Sequence, residues 1–346
     1  MIRCITENTR IRKRFYVLIV LILCVIFLIS ALLLSGCGKP ATTEKISVVC
    51  TIFPQYDWVC QILGEKREGM DVTMLLENRI DMHNYQPSVD DIIRISTCDL
   101  FIHVGGESDN WVDDALKSAT NKDMVVINLL NALGDTAKTE VIAEGMEFDD
   151  SESEDYPYEY EGDGEKTPDY DEHVWLSLRN ALIFCPIIAD ALSSLDADNA
   201  TVYRSNLSAY LDELSAMDSA FQSAINAAPI KTMLVGDRFP FRYLADDYSL
   251  NYYAAFAGCS AETEASFDTI IFLARIADEL NLRNIIVTES SDRKIARTII
   301  GNTKGGDQQI LVLDSMQSVT TSDAQSGITY ISIMESNLNT LVEALQ

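Results

Sequence analysis

The chain has 346 residues and a formal net charge of −27, from 53 acidic and 26 basic residues. That balance argues against nucleic acid and anionic membrane surfaces as ligands and favours cations. The length is long for one hydrophobic core and suits two domains.

The start is unlike the rest. Arg3, Arg10, Arg12, Lys13 and Arg14 precede an apolar run over 15–34 that ends in Leu34-Ser35-Gly36-Cys37. Small residues before a cysteine read as a lipoprotein signal over 1–36, with Cys37 carrying the lipid and 37–45 a polar tether. A plain membrane anchor is the alternative, since the run is long enough to span a bilayer. Either reading puts the bulk of the chain outside the cytoplasmic membrane, held to its outer face. The later cysteines are Cys50, Cys60, Cys98, Cys185 and Cys259, an odd count with no C-x-x-C pair. This speaks against a zinc knuckle and a complete disulfide framework, and most of the five read as small core residues.

From residue 46 the apolar patterning alternates between strand and helix. Strands are expected at 46–51, 72–76, 100–104 and 124–128, with helices at 55–63, 88–95 and 111–118 between them. Leu176 opens a helical stretch to 195, and a second, longer helix follows the Asp196-Ala197-Asp198 start. Its apolar residues Tyr203, Leu207, Tyr210, Leu214, Met217 and Phe221 share one face, and with no Gly or internal Pro it would be stiff. The alternation then resumes, with strands at 232–235, 252–256, 284–288 and 310–313 and helices at 242–247, 267–280, 293–302 and 332–345. The expected fold is α/β: two lobes, each with a mainly parallel sheet flanked by helices, joined by one long rigid helix. The expected boundaries are 46–195 for the first lobe, 196–228 for the linking helix and 229–346 for the second lobe. Within the first lobe, 147–172 is so acidic that it reads as a mobile solvated loop.

The chain has three histidines. His103 lies inside a strand-like run and reads as buried and structural. His83 and His173 each have acidic neighbours and stand between a strand or loop and a helix, a setting that suits a divalent metal. Ligands of open α/β sheets sit beyond the carboxyl ends of the strands, so both imidazoles could face one cleft. Two nitrogens do not hold zinc or manganese tightly, so the second lobe should add oxygens. Asp237 and Asp314, each right after a predicted strand, are the candidates, although Asp237 could instead cap the next helix. Glu289 at a strand end and Glu262 and Glu264 in the 258–264 loop are further acids, with Glu264 and Glu289 read as supporting or capping residues rather than ligands.

Taken together, these residues resemble the zinc- and manganese-binding lipoproteins of ABC importers, the cluster A-I solute-binding proteins, over nearly the whole chain beyond residue 36. Cys37 matches the lipidated cysteine. Asp81-Met82-His83-Asn84-Tyr85-Gln86-Pro87-Ser88 is similar to the segment carrying the family's first metal histidine, and Glu172-His173-Val174-Trp175-Leu176 to the segment carrying the second. Leu311-Val312-Leu313-Asp314 resembles the strand end with the family's aspartate ligand, and 258–266 another recurrent loop. The resemblance implies a non-catalytic receptor that holds one Zn2+ or Mn2+ between its lobes, zinc ahead of manganese. It would deliver the ion to a membrane permease driven by an ATPase, and would work as a monomer. It also exposes departures. Where the family has a third histidine or a glutamate, this chain reads Val235-Gly236-Asp237-Arg238-Phe239, with Gly236 at that position; Asp237 takes over or a water fills the gap. Ser177 replaces an acid, and the loop before His173 is acidic where zinc-binding members are often His-rich. An adhesin with a structural metal is the second reading. A metallohydrolase, for which no H-E-x-x-H or G-x-S-x-G pattern is present, is the third.

Overall fold

The computed structural model describes residues 45–77, 82–146, 170–260 and 264–346. The expected signal segment, the tether from Cys37 up to residue 44, Asp81, Glu262, and 147–169 of the acidic run lie outside these residues.

The first half runs β1 (Ile46–Cys50), α1 (Phe53–Leu63), β2 (Met70–Met74), α2 (Val89–Thr97), β3 (Leu100–His103), α3 (Trp111–Ser118), β4 (Val125–Asn128) and α4 (Leu129–Leu133). Two helices follow, α5 (Leu178–Leu195) and α6 (Ala200–Ala227). The second half runs β5 (Thr232–Phe239), α7 (Arg242–Asp247), β6 (Asn251–Ala257), α8 (Phe267–Glu279), β7 (Asn284–Val287), α9 (Lys294–Gly301), β8 (Gln309–Val312), α10 (Thr321–Gln325) and α11 (Tyr330–Ala344). The strands form two four-stranded sheets, ordered β2-β1-β3-β4 and β6-β5-β7-β8, and every pairing is parallel. Runs such as Leu100-Phe101-Ile102-His103 are buried at every position, as strands covered on both faces must be. In each sheet the chain reverses its direction of winding beside the first strand, between β1 and β3 and between β5 and β7. Crevices open beyond the strand ends at such places.

The 28-residue α6 is about 42 Å long at 1.5 Å per residue and carries no Gly or Pro. Its Tyr203, Tyr210, Leu214 and Phe221 are buried on one face. One continuous core runs from Val48 in β1 through Trp58, Trp175, Tyr203 and Tyr243 to Tyr330 and Leu345, so it spans both halves. A second cluster, including Leu234, Phe256, Leu273, Ile285 and Ile299, packs α8 and α9 against the second sheet. Polar ties cross the joint. The Tyr330 amide donates to Asp57 Oδ2 at 2.9 Å, the Tyr330 hydroxyl to the Trp175 carbonyl at 2.8 Å, and Trp175 Nε1 to the Ser315 carbonyl at 2.9 Å. A shared apolar joint of this kind limits how freely the halves can swing.

Three local departures from the sequence-based expectations matter. β5 does not stop at residue 235. It continues to Phe239 through a register shift between Val235 and Arg238, which places Gly236 and Asp237 in the irregular stretch. The long helix begins at Ala200 after a 3₁₀ turn, Ala197–Asn199, while Asp196 accepts the Tyr203 hydroxyl instead of capping the helix. Asp171 and Glu172, expected at the tail of the solvated loop, are each only 2% exposed.

Candidate metal centre

His83 lies in a 3₁₀ turn, Met82–Asn84, beyond the end of β2, and His173 immediately precedes another, Val174–Leu176, that leads into α5. The two rings meet. His83 Nε2 and His173 Nε2 are 3.3 Å apart, with ring centroids 5.3 Å apart and planes tilted by 58°. Two nitrogens bound to one tetrahedral zinc at about 2.0–2.1 Å stand roughly 3.3 Å apart, so this spacing is that of two ligands on one ion.

Each imidazole is held from behind. His173 Nδ1 is 3.1 Å from Asp171 Oδ1, which also accepts the His173 amide at 2.9 Å. His83 Nδ1 is 2.7 Å from Ser108 Oγ and 3.6 Å from Glu172 Oε2. Glu172 is fixed in turn, since its Oε1 accepts the Ser108 amide at 2.8 Å. A proton on each Nδ1 leaves both Nε2 lone pairs facing one another, an arrangement that a cation between them satisfies. His173 is fully buried. Burial would lower its pKa, but the neighbouring carboxylates of Asp171, Glu172 and Glu140 outweigh that effect and raise it. Burial also raises the pKa of Glu172, whose Oε2 is buried and makes no hydrogen bond among the described residues.

Cys259 is the third member of the group. One ligand atom from each of His83, His173 and Cys259 lies within 4.8 Å of the other two. The thiol sits just past the end of β6, where its amide donates to Glu140 Oε1 at 2.9 Å. Sequence reasoning missed it because an isolated cysteine beside an apolar run reads as core. The available signal was its place at the end of a parallel strand, the position weighed for the acids but not for the thiols. The other described cysteines, Cys50, Cys60, Cys98 and Cys185, are unpaired and at least partly buried.

The expected oxygen donors are elsewhere engaged and do not belong to this group. Asp237 Oδ2 accepts the Thr288 hydroxyl at 2.8 Å and the Thr288 amide at 3.2 Å, and Oδ1 accepts the Arg238 amide. Asp314 Oδ1 accepts the Met316 amide at 2.7 Å. Burial, helped by the charge of Glu289, pushes the Asp314 carboxyl up to about 6. Both oxygens of Glu289 are taken by Ser315, one by its amide and one by its hydroxyl, in keeping with a supporting role. Glu264 is exposed. Gly236 does not stand at a ligand position: a Cβ there would be 2.9 Å from Ala296 Cα and 3.0 Å from Ile285, pointing into the core rather than at the imidazoles. His103, read as structural, is buried, 3.2 Å from Asp109 Oδ2 and stacked on Phe101.

Among curated relatives, the zinc-binding protein AdcA of Streptococcus pyogenes serotype M3 is 26% identical over 297 residues, covering 86% of this chain and 55% of that protein. The chain thus spans a little over half the length of the AdcA relatives. The high-affinity zinc uptake system protein ZnuA of Bacillus subtilis is 27% identical over 329 residues, covering 92% of this chain and 97% of that one. Among solved structures, the Zn(II)-bound ZnuA-like domain of Streptococcus pneumoniae AdcA superposes with a TM-score of 0.65 at 25% identity, over 87% of this chain and 99% of that one. The laminin-binding adhesin Lmb of Streptococcus agalactiae superposes with a TM-score of 0.68, over 87% of this chain and 100% of that one, but at 22% identity it shows only the shared fold. The profile of the family described as zinc-uptake complex component A, periplasmic, matches residues 48–344, and the chain belongs to that family.

Proposed function

We propose that this protein is an extracytoplasmic receptor that captures one zinc ion between its halves and hands it to an ABC permease and its ATPase. The observation that carries this reading is the 3.3 Å approach of His83 Nε2 to His173 Nε2, each ring held through Nδ1 by a neighbour that is not itself a ligand. Relatives named for zinc binding and zinc uptake support the choice of ion. The lipid on Cys37 would keep the receptor at the outer face of the membrane, next to the permease, as a monomer. Capture exchanges waters of the ion for imidazoles, without redox chemistry. The exposed side of the pair is His83, whose side chain is 11% exposed while that of His173 is fully covered, so the ion would enter from the His83 side. The adhesin reading has no observation of its own, because the structure that carries that name shares only the fold.

The test is to deplete the full-length protein of metal, offer zinc and manganese together, and count the bound metals by elemental analysis. About one zinc per chain is the expected result, as a single ligand set would hold. A protein that retains no zinc overturns the reading.

A further inference from the structure

We propose that Cys259 Sγ is the third protein donor to the ion held by His83 and His173, and that this thiolate makes the site prefer thiophilic divalent ions, zinc well above manganese. The proposal rests on the reading that the histidine pair holds the transported ion. Its own support is geometric. The three ligand atoms lie within 4.8 Å of one another, and a tetrahedral zinc with nitrogens at about 2.0–2.1 Å and sulfur at about 2.3 Å wants N···S separations of roughly 3.6 Å. The present spread therefore exceeds that separation by at most about 1.2 Å.

The backbone holds the thiol at this distance. The Cys259 amide is anchored on Glu140 of the first half, and the preceding residue is a glycine that lets the turn pass flat over the imidazole. A Cβ at Gly258 would sit 3.0 Å from His173 Cε1 and 2.9 Å from the Phe239 carbonyl, so a larger residue would push the thiol away from the ring. The two carboxylates expected to complete the set accept hydrogen bonds from other groups: Asp237 from Thr288, and Asp314 Oδ1 from the Met316 amide.

Coordination exchanges the S–H bond for an S–metal bond, and the proton leaves to solvent; no electron is transferred. Two imidazoles and a thiolate form a soft, nitrogen- and sulfur-rich set that suits zinc. Manganese prefers carboxylate, carbonyl and water oxygens.

Cobalt(II) added to metal-depleted full-length protein reads the donor directly. The parent should show a thiolate-to-cobalt charge-transfer band in the near ultraviolet. Cys259→Ser should lose that band while still binding cobalt through the histidines, and its zinc-over-manganese preference should fall at least about tenfold. In the parent itself, zinc should slow alkylation of Cys259, followed by mass spectrometry, and manganese should not. A parent cobalt complex without the band, or alkylation at the same rate with and without zinc, overturns the thiolate while leaving the histidine site standing. A parent that binds neither cobalt nor zinc removes both.

Discussion

The two halves repeat one strand order, β2-β1-β3-β4 and β6-β5-β7-β8, yet their strand-end loops are used in opposite ways. The first half brings His83 and His173 together and fastens each from behind through Ser108 and Asp171, with the Nε2 atoms of the two rings turned toward each other. In the second half, the acids weighed as donors accept bonds from other strand ends. Asp237 accepts two bonds from Thr288, and Glu289 two from Ser315. An acid beyond a strand is therefore not a ligand by position alone. Its hydrogen-bond partners come from other strand ends, and they fix where its oxygens point.

The strongest way to break this contrast is to remove the imidazoles. His83→Ala and His173→Ala should each weaken zinc binding more than about 100-fold by equilibrium titration, since the loss of a supporting group alone costs up to that much. The next effect is that of a supporting group. Asp171→Asn keeps the size of the side chain but removes the charge behind His173, and should cost about 10–100-fold in zinc affinity. The same carboxylates raise the pKa of His173, so acidification should put a proton in competition with the ion and weaken binding as pH falls through that raised value.

Thr288→Val tests the other half. It removes the hydroxyl that donates to Asp237 and should lower stability by about 1–3 kcal/mol, read from the thermal midpoint, with zinc affinity unchanged. A drop in affinity would bring Asp237 back toward the ion. A further effect concerns the joint. Burial raises the Asp57 carboxyl from 3.8 to about 6, against the opposing pull of the Tyr330 amide and Gln61. The folded state therefore binds this proton more tightly than the unfolded chain. The stabilisation it gives is complete below the unfolded pKa of about 4 and is lost as pH rises to about 6, on the order of 3 kcal/mol in all. Asp57→Asn should flatten that part of the stability–pH curve, measured by urea unfolding.

Much of this was legible in the sequence. The apolar face of α6, with Tyr203, Tyr210, Leu214 and Phe221, follows directly from helical spacing, and Trp111–Ser118 was bounded by its own periodicity. The meeting of His83 and His173 could be anticipated from two imidazoles with acidic neighbours beyond strand ends. What could not be read depended on partners distant in sequence. Composition assigned Asp171 and Glu172 to a solvated loop, because counting acids cannot reveal that one braces His173 and the other lies behind His83 beside Ser108. The extension of β5 to Phe239 depends on pairing with β6 across a register shift, which no local pattern encodes. The five-residue α4 is too short for a helical period to emerge. Asp237 read as a ligand or a helix cap because Thr288, its partner, is 51 residues away.

The central claim is that one ion lies between the imidazoles of His83 and His173. X-ray absorption at the zinc edge of the zinc-loaded protein tests it most directly. The account predicts outer-shell scattering from two imidazoles in the parent and a loss of imidazole scattering in His83→Ala and in His173→Ala. A parent spectrum without imidazole scattering, or one left unchanged by both substitutions, would contradict it.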